Sequence, residues 1–167
     1  MVPRNIKAMV DCNLGFREAM IPTSEMIKGY NVTTLRQPLY VRETIETIRM
    51  MQPELKKIAF ICDNRYISFV TRQELQNVLG KQFPNLELDI LSWPELSTEN
   101  LLDTLTTYNK KDVAIIYYSW YAIPQKGENH YLTDNVQKMT SSFSNTPVYL
   151  IVDLDIKNGN FAGGHYI

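Results

Sequence analysis

Apolar and polar positions along the chain alternate between two periods. Val41, Ile45, Ile48 and then Met51 or Leu55 recur at helical spacing. This stripe predicts a helix with Pro38 in its first turn and Pro53 helping to stop it. Lys57-Ile58-Ala59-Phe60-Ile61-Cys62-Asp63 is a short apolar run between polar residues, the pattern of a strand buried on both faces. Phe69, Leu75, Val78 and Leu79 give a second helical stripe, expected to end around Gly80 with Pro84 soon after. Leu86 to Leu91 alternates, as in a strand with one solvated face or edge. Ser97 is a plausible N-cap for a third helix carrying Leu101, Leu102 and Leu105. Val113 to Tyr118 is the clearest buried strand. A polar loop at 125–129 follows, then Thr133 as a cap for a fourth helix with Val136, Met139 and Phe143. Pro147 to Val152 is the last strand, and Asn158 to Gly164 reads as loop.

The order from residue 38 onward is α-β-α-β-α-β-α-β. Such alternation requires right-handed crossovers and predicts an α/β fold: a mostly parallel sheet flanked by helices on both faces, flavodoxin-like or Rossmann-like. Residues 1–26 are expected to be an irregular lead-in, with a short helix near Phe16 to Met20, because Gly15 and Pro22 interrupt scattered apolar positions.

The 167 residues suit one domain with a real core. Seventeen basic against eighteen acidic residues leave a net charge of −1, with no Lys/Arg run, which argues against nucleic acid and anionic lipid as partners. No apolar stretch approaches the roughly 20 residues that span a bilayer. Cys12 and Cys62 allow a single bridge that sequence does not decide, and Cys62 inside its apolar run reads as a small buried hydrophobe.

Ligands of open α/β sheets bind beyond the carboxyl ends of the strands. Four segments stand there: Asp63-Asn64-Arg65-Tyr66, Ser92-Trp93, Ser119-Trp120-Tyr121, and Asp153-Leu154-Asp155 with the glycine-rich tail. The candidate ligand contacts are Asn64, Arg65, Tyr66, Trp93, Ser119, Trp120, Tyr121, Asp153 and Asp155. Their rings and polar groups suit a pocket that stacks a ligand and holds it with a few hydrogen bonds. The plainer explanation is that chains leave the core at strand ends and are polar there for that reason. Catalytic readings have less behind them. His130 and His165 are the two histidines, and neither lies near a cysteine or a Gly-x-Ser-x-Gly elbow in sequence. Metal-ligand spacings and a phosphate-binding glycine loop are absent from the sequence. Asp153 and Asp155 resemble magnesium carboxylates, although turn carboxylates look the same. Neither a catalytic residue, a metal nor a cofactor is therefore expected. Gly159, Gly163 and Gly164 are read as permitting a tight turn and close backbone approach.

Several segments together resemble a known family. They are Gly29-Tyr30-Asn31-Val32-Thr33, Thr44-Ile45-Glu46-Thr47-Ile48, Pro53 through Ile61, and Thr146-Pro147-Val148-Tyr149 through Asp153 with Gly159 and Gly163-Gly164 downstream. They resemble the second lobe of ABC-transporter substrate-binding-like proteins of the type I periplasmic-binding fold. Within that group the likeness is to versions fused to bacterial sensor histidine kinases, often hybrid two-component proteins. It covers roughly residues 27 to 164 and is spread along the chain.

The resemblance implies a hinge-closing sensor domain outside the cytoplasmic membrane, part of an inner-membrane protein, whose closure is passed to a kinase. Residues 1–26 would be a remnant of the first lobe and 27–167 a second lobe cut short at its C-terminal end. The implied partners are an unidentified small molecule (a sugar, an amino acid or an aromatic compound), the first lobe, and downstream kinase modules of the same chain. By position the pocket would draw on Asn64, Arg65, Trp120 and Asp153. This piece would not itself be an enzyme. Half a cleft should bind ligand weakly, and an apolar patch left uncovered by the missing lobe would offer a surface for a homodimer. Two other readings remain. One is a solute-binding component of an ABC uptake transporter. The other is a flavodoxin-like intracellular enzyme or a receiver domain, for which Asp63, Ser119, Asp153 and Lys157 form an incomplete set.

Overall fold

The computed structural model describes residues 5–7, 20–22, 28–33, 38–122, 131–152 and 159–165. The chain divides into two compact units, Met1–Pro38 and Leu39–Ile167. In the first, β1 (Asn5–Lys7) pairs antiparallel with β2 (Met20–Pro22), Ile6 opposite Ile21. The expected helix near 16–20 is therefore not continued into Met20, which lies in a strand; residues 16–19 fall outside the described residues.

The second unit contains α1 (Val41–Met51), β3 (Lys57–Cys62), α2 (Tyr66–Gln82), β4 (Glu87–Ser92), α3 (Thr98–Thr107), β5 (Val113–Tyr117), α4 (Thr133–Phe143) and β6 (Val148–Leu150). Four strands form an all-parallel sheet in the order β4-β3-β5-β6. This is the α/β, flavodoxin-like fold that the sequence pattern predicts. Alternate residues of each strand point to opposite faces, and the core divides accordingly. Ile58, Phe60, Cys62, Ala114 and Ile116 pack with Val41, Ile45 and Ile48 of α1 and Leu75, Val78 and Leu79 of α2. Ala59, Ile61, Val113, Ile115 and Tyr117 pack with Leu101, Leu102 and Leu105 of α3 and Val136 of α4. Helices cover both faces, so β3 after Lys57 and all of β5 are buried on both sides.

The element ends correct several expectations. Helix α1 begins at Val41, so Pro38 precedes the helix and does not sit in its first turn, because Leu39 is drawn onto the core ahead of the helix. Helix α2 runs through Gly80 to Gln82. Open space surrounds Gly80, and the helix stops where Phe83 turns into the core and Pro84 follows. Leu132, not Thr133, occupies the N-cap position of α4, its carbonyl accepting from the N–H groups of Asn135 and Val136. Phe143, expected on that helix's apolar face, is largely exposed. Ser97 does cap α3, its hydroxyl accepting from Asn100 N–H at 3.1 Å. The alternating strand β4 lies at a sheet edge, as its pattern requires.

The opposite edge is partly covered. Gly163 bridges Tyr149 in parallel, with Leu150 N–H to Gly163 O at 2.9 Å and Ala162 N–H to Val148 O at 2.7 Å. Gly163 has φ +120 and Gly159 φ +68, backbone that favours glycine and meets the expected tight turning; the expected close approach is not found, because open space lies where a side chain would stand at either residue.

Candidate functional site

The strand order places a topological switch point between β3 and β5. From β3 the chain crosses to β4 on one side, then returns to β5 on the other. A crevice at the carboxyl ends of such a strand pair is the usual ligand position in this class of fold. The two strands stay paired to their ends, Tyr118 N–H donating to Ile61 O at 3.0 Å. They then part, one into Asp63-Asn64-Arg65 and the other into Ser119-Trp120-Tyr121.

Asp63 organises this end. Its side chain is fully buried. Oδ1 accepts from Arg65 N–H at 3.0 Å and from the Ser68 hydroxyl at 2.6 Å. Oδ2 accepts from Arg65 Nε at 2.9 Å and Nη2 at 2.7 Å. An ionised carboxylate offers about four lone-pair sites, and these four donors fill them. Burial alone would push the Asp63 carboxyl up, but the bonds from Arg65 and Ser68 and the guanidinium charge outweigh it and hold it below its ordinary value. The same pairing pushes the Arg65 guanidinium up against the smaller cost of its own burial.

Proton directions follow. Ser68 spends its one hydroxyl proton on Asp63, so in the 3.0 Å contact between the Ser68 and Ser119 hydroxyls Ser119 is the donor. Ser119 therefore turns lone pairs, not a proton, toward the crevice. Arg65 retains the Nη1 edge of its fork. Its side chain is half exposed, and its guanidinium carbon lies 5.2 Å from the centroid of the exposed Tyr121 ring. The crevice thus presents a held cation on an aromatic ring beside a hydroxyl acceptor. Asp63, held at low pKa with its lone pairs occupied, is a poor base for activating Ser119 as a nucleophile.

Asn64, Arg65, Ser119 and Tyr121 of the sequence candidates flank this crevice, Asn64 being exposed. Tyr66 opens α2. Trp93 lies beyond β4, half-buried against the α3/α4 side of the core, its backbone N–H donating to Cys62 O at 3.3 Å. Trp120 is part of the core: 2% exposed, with its indole N–H on Thr98 Oγ1 at 3.0 Å. Asp153 and Asp155 lie outside the described residues. Ser68 and Thr71 escaped the sequence reading. The Thr71 hydroxyl donates to Ile67 O at 3.0 Å, and the nearby Tyr118 phenol is pushed up chiefly by burial. Cys62 is free of any disulfide and buried, and burial pushes its thiol up to about 12, the inert hydrophobe its run suggests. His165 packs against Tyr40 with ring centroids 5.2 Å apart.

Two surface hollows among the described residues lie elsewhere. One of about 560 Å³ is lined by Glu46, Arg49, Met50 and Pro53. One of about 270 Å³ lies between α2 and β4, at Leu79, Gly80, Leu88 and Ile90. Both are shallow and neither stands at the carboxyl ends of the strands, where ligands of this class of fold bind, so the switch-point crevice is the better candidate. Among the described residues no cluster of His, Cys, Asp and Glu could hold a metal ion, and no helix is long and apolar enough to cross a membrane.

Compared with known proteins, the chain matches no family model, no curated protein and no solved structure.

Proposed function

We propose that this chain is a ligand-sensing lobe of a bacterial receptor, the extracytoplasmic part of a two-component sensor histidine kinase. Small-molecule capture between this lobe and a second one would close a hinge that signals to the kinase. The observation that carries the binding part is the Asp63–Arg65–Ser68–Ser119 network at the switch point between β3 and β5. A pre-positioned cation and ring stand there in half-exposed positions, on a rigid sheet. The saturated Asp63 favours binding over hydrolytic chemistry. The signalling part rests on the resemblance described above.

Two measurements test this. A fragment mixture titrated into isotope-labelled protein should shift the signals of Asn64, Arg65, Ser119 and Tyr121, with weak affinity because one lobe supplies half a cleft. Shifts confined to the hollows beside Met50 or Ile90 would sink the crevice. The reading frame around this chain should encode a first lobe upstream and a membrane span with kinase motifs downstream. An uptake-transporter component, ending soon after this lobe, would instead leave the binding part and remove the kinase.

A further inference from the structure

We propose that the crevice selects a small organic acid that also carries a hydroxyl or N–H donor, and disfavours amines and neutral compounds of the same shape. This rests on the crevice being the binding site and narrows the chemistry it accepts.

The argument is a count of hydrogen-bonding capacity. Asp63, the buried carboxylate of the crevice, has its acceptor sites filled by Arg65 and Ser68. It leaves no open acceptor for an ammonium group, and an amine would meet the Arg65 guanidinium as a like charge. Arg65 has committed Nε and Nη2 inward, which fixes the plane of its fork, and its outward Nη1 donors suit a carboxylate. Tyr121 lies beneath the guanidinium at 5.2 Å and keeps it from collapsing into solvent conformers. Ser119 has given its proton to Ser68 and offers lone pairs only, so its complement on a ligand is a donor. A ligand with an acid group alone leaves Ser119 unanswered. A ligand with a donor alone leaves Arg65 unanswered.

Four probes sharing one phenyl ring separate these terms in the whole chain: mandelate, phenylacetate, mandelamide and 2-amino-1-phenylethanol. Side-chain Nε–Hε of Arg65 and the amides of Ser119 and Tyr121 are followed by NMR during titration. Mandelate should bind best. Phenylacetate, lacking the hydroxyl, should bind roughly three- to tenfold more weakly, the worth of one neutral hydrogen bond. The amide and the amine should be weaker still. Arg65→Gln should cost mandelate roughly tenfold or more. Ser119→Ala, which leaves the Asp63–Arg65 pair intact, should bring mandelate down to the level of phenylacetate. The amine or the amide binding at these residues as well as mandelate would overturn the acid preference while leaving the crevice in place. Equal affinities of mandelate and phenylacetate, or Ser119→Ala leaving their ratio unchanged, would overturn the role given to Ser119. No probe acting at these residues would overturn the proposal, and the fragment titration described above then decides separately whether the crevice binds at all.

Discussion

At the amino end of the parallel sheet, buried polar side chains terminate chiefly on backbone; at the carboxyl end they terminate chiefly on one another. Gln52 is buried below the sheet and donates through Nε2 to Lys110 O at 2.9 Å and Val113 O at 3.2 Å, while Tyr149 donates to its Oε1 at 3.4 Å. The Thr146 hydroxyl also bonds Val113 O. The N–H groups of Lys56 and Lys57 both reach Asp112 O, at 2.8 and 3.0 Å. Each of these bonds satisfies a group that burial would otherwise strand. Above the sheet, Asp63, Ser68 and Ser119 join side chain to side chain, and the set ends in the half-exposed Arg65. The lower end spends its polar groups on closure. The upper end keeps a charged edge and a hydroxyl turned outward, which is what a binding surface needs.

The largest test of this contrast comes from a residue on the upper end that belongs with the lower. Trp120→Ala should cost about 3–5 kcal/mol in urea unfolding, because it empties a core site and strands Thr98. A loss below about 1 kcal/mol would return Trp120 to the crevice. Gln52→Ala should cost about 2 kcal/mol, since the carbonyls of Lys110 and Val113 lose a buried partner, without moving the signals of Arg65 or Ser119. Asp63→Asn should cost about 1–2 kcal/mol at neutral pH, discounted because Arg65 is half exposed. Its pH dependence has a definite sign. The folded carboxyl titrates below its unfolded value, so its stabilisation is fully present above about pH 4. It is lost as pH falls through the folded value, and D63N should lack that acid limb of the stability curve. Ser119→Ala should change stability by less than about 0.5 kcal/mol while altering ligand preference. A large loss of stability there would make the upper network structural too.

How much of this was legible in the sequence differs between fold and site for physical reasons. Strands β3 and β5 are buried on both faces, so their runs carry no competing signal. Helix ends were harder, because local rules yielded to packing: Pro38 favours a helix start, but Leu39 is held by the core first, and Gly80 favours a stop, but Phe83 provides it. Arg65 and Ser119 could be found from the rule about strand ends. Ser68 could not, since it meets Ser119 across 51 residues of sequence. Trp120 reads as a ligand contact in the sequence and lies in the core in the structure, because an aromatic residue just past a strand looks the same in sequence whether its indole N–H meets a ligand or Thr98. Asp63 was visible as a strand-end acid, but its saturation by four donors is a fact of three dimensions.

His165 lies against Tyr40, and its N–H reaches Thr44 Oγ1 at 3.3 Å, so the last described residue of the second unit touches its first helix. Residues 40 and 165 are therefore neighbours, distant in sequence and in contact within one unit. A circularly permuted version of this chain joined between residues 165 and 39 should fold with the same sheet. Anything tethered at one of those two points would feel a displacement of the other with little intervening slack.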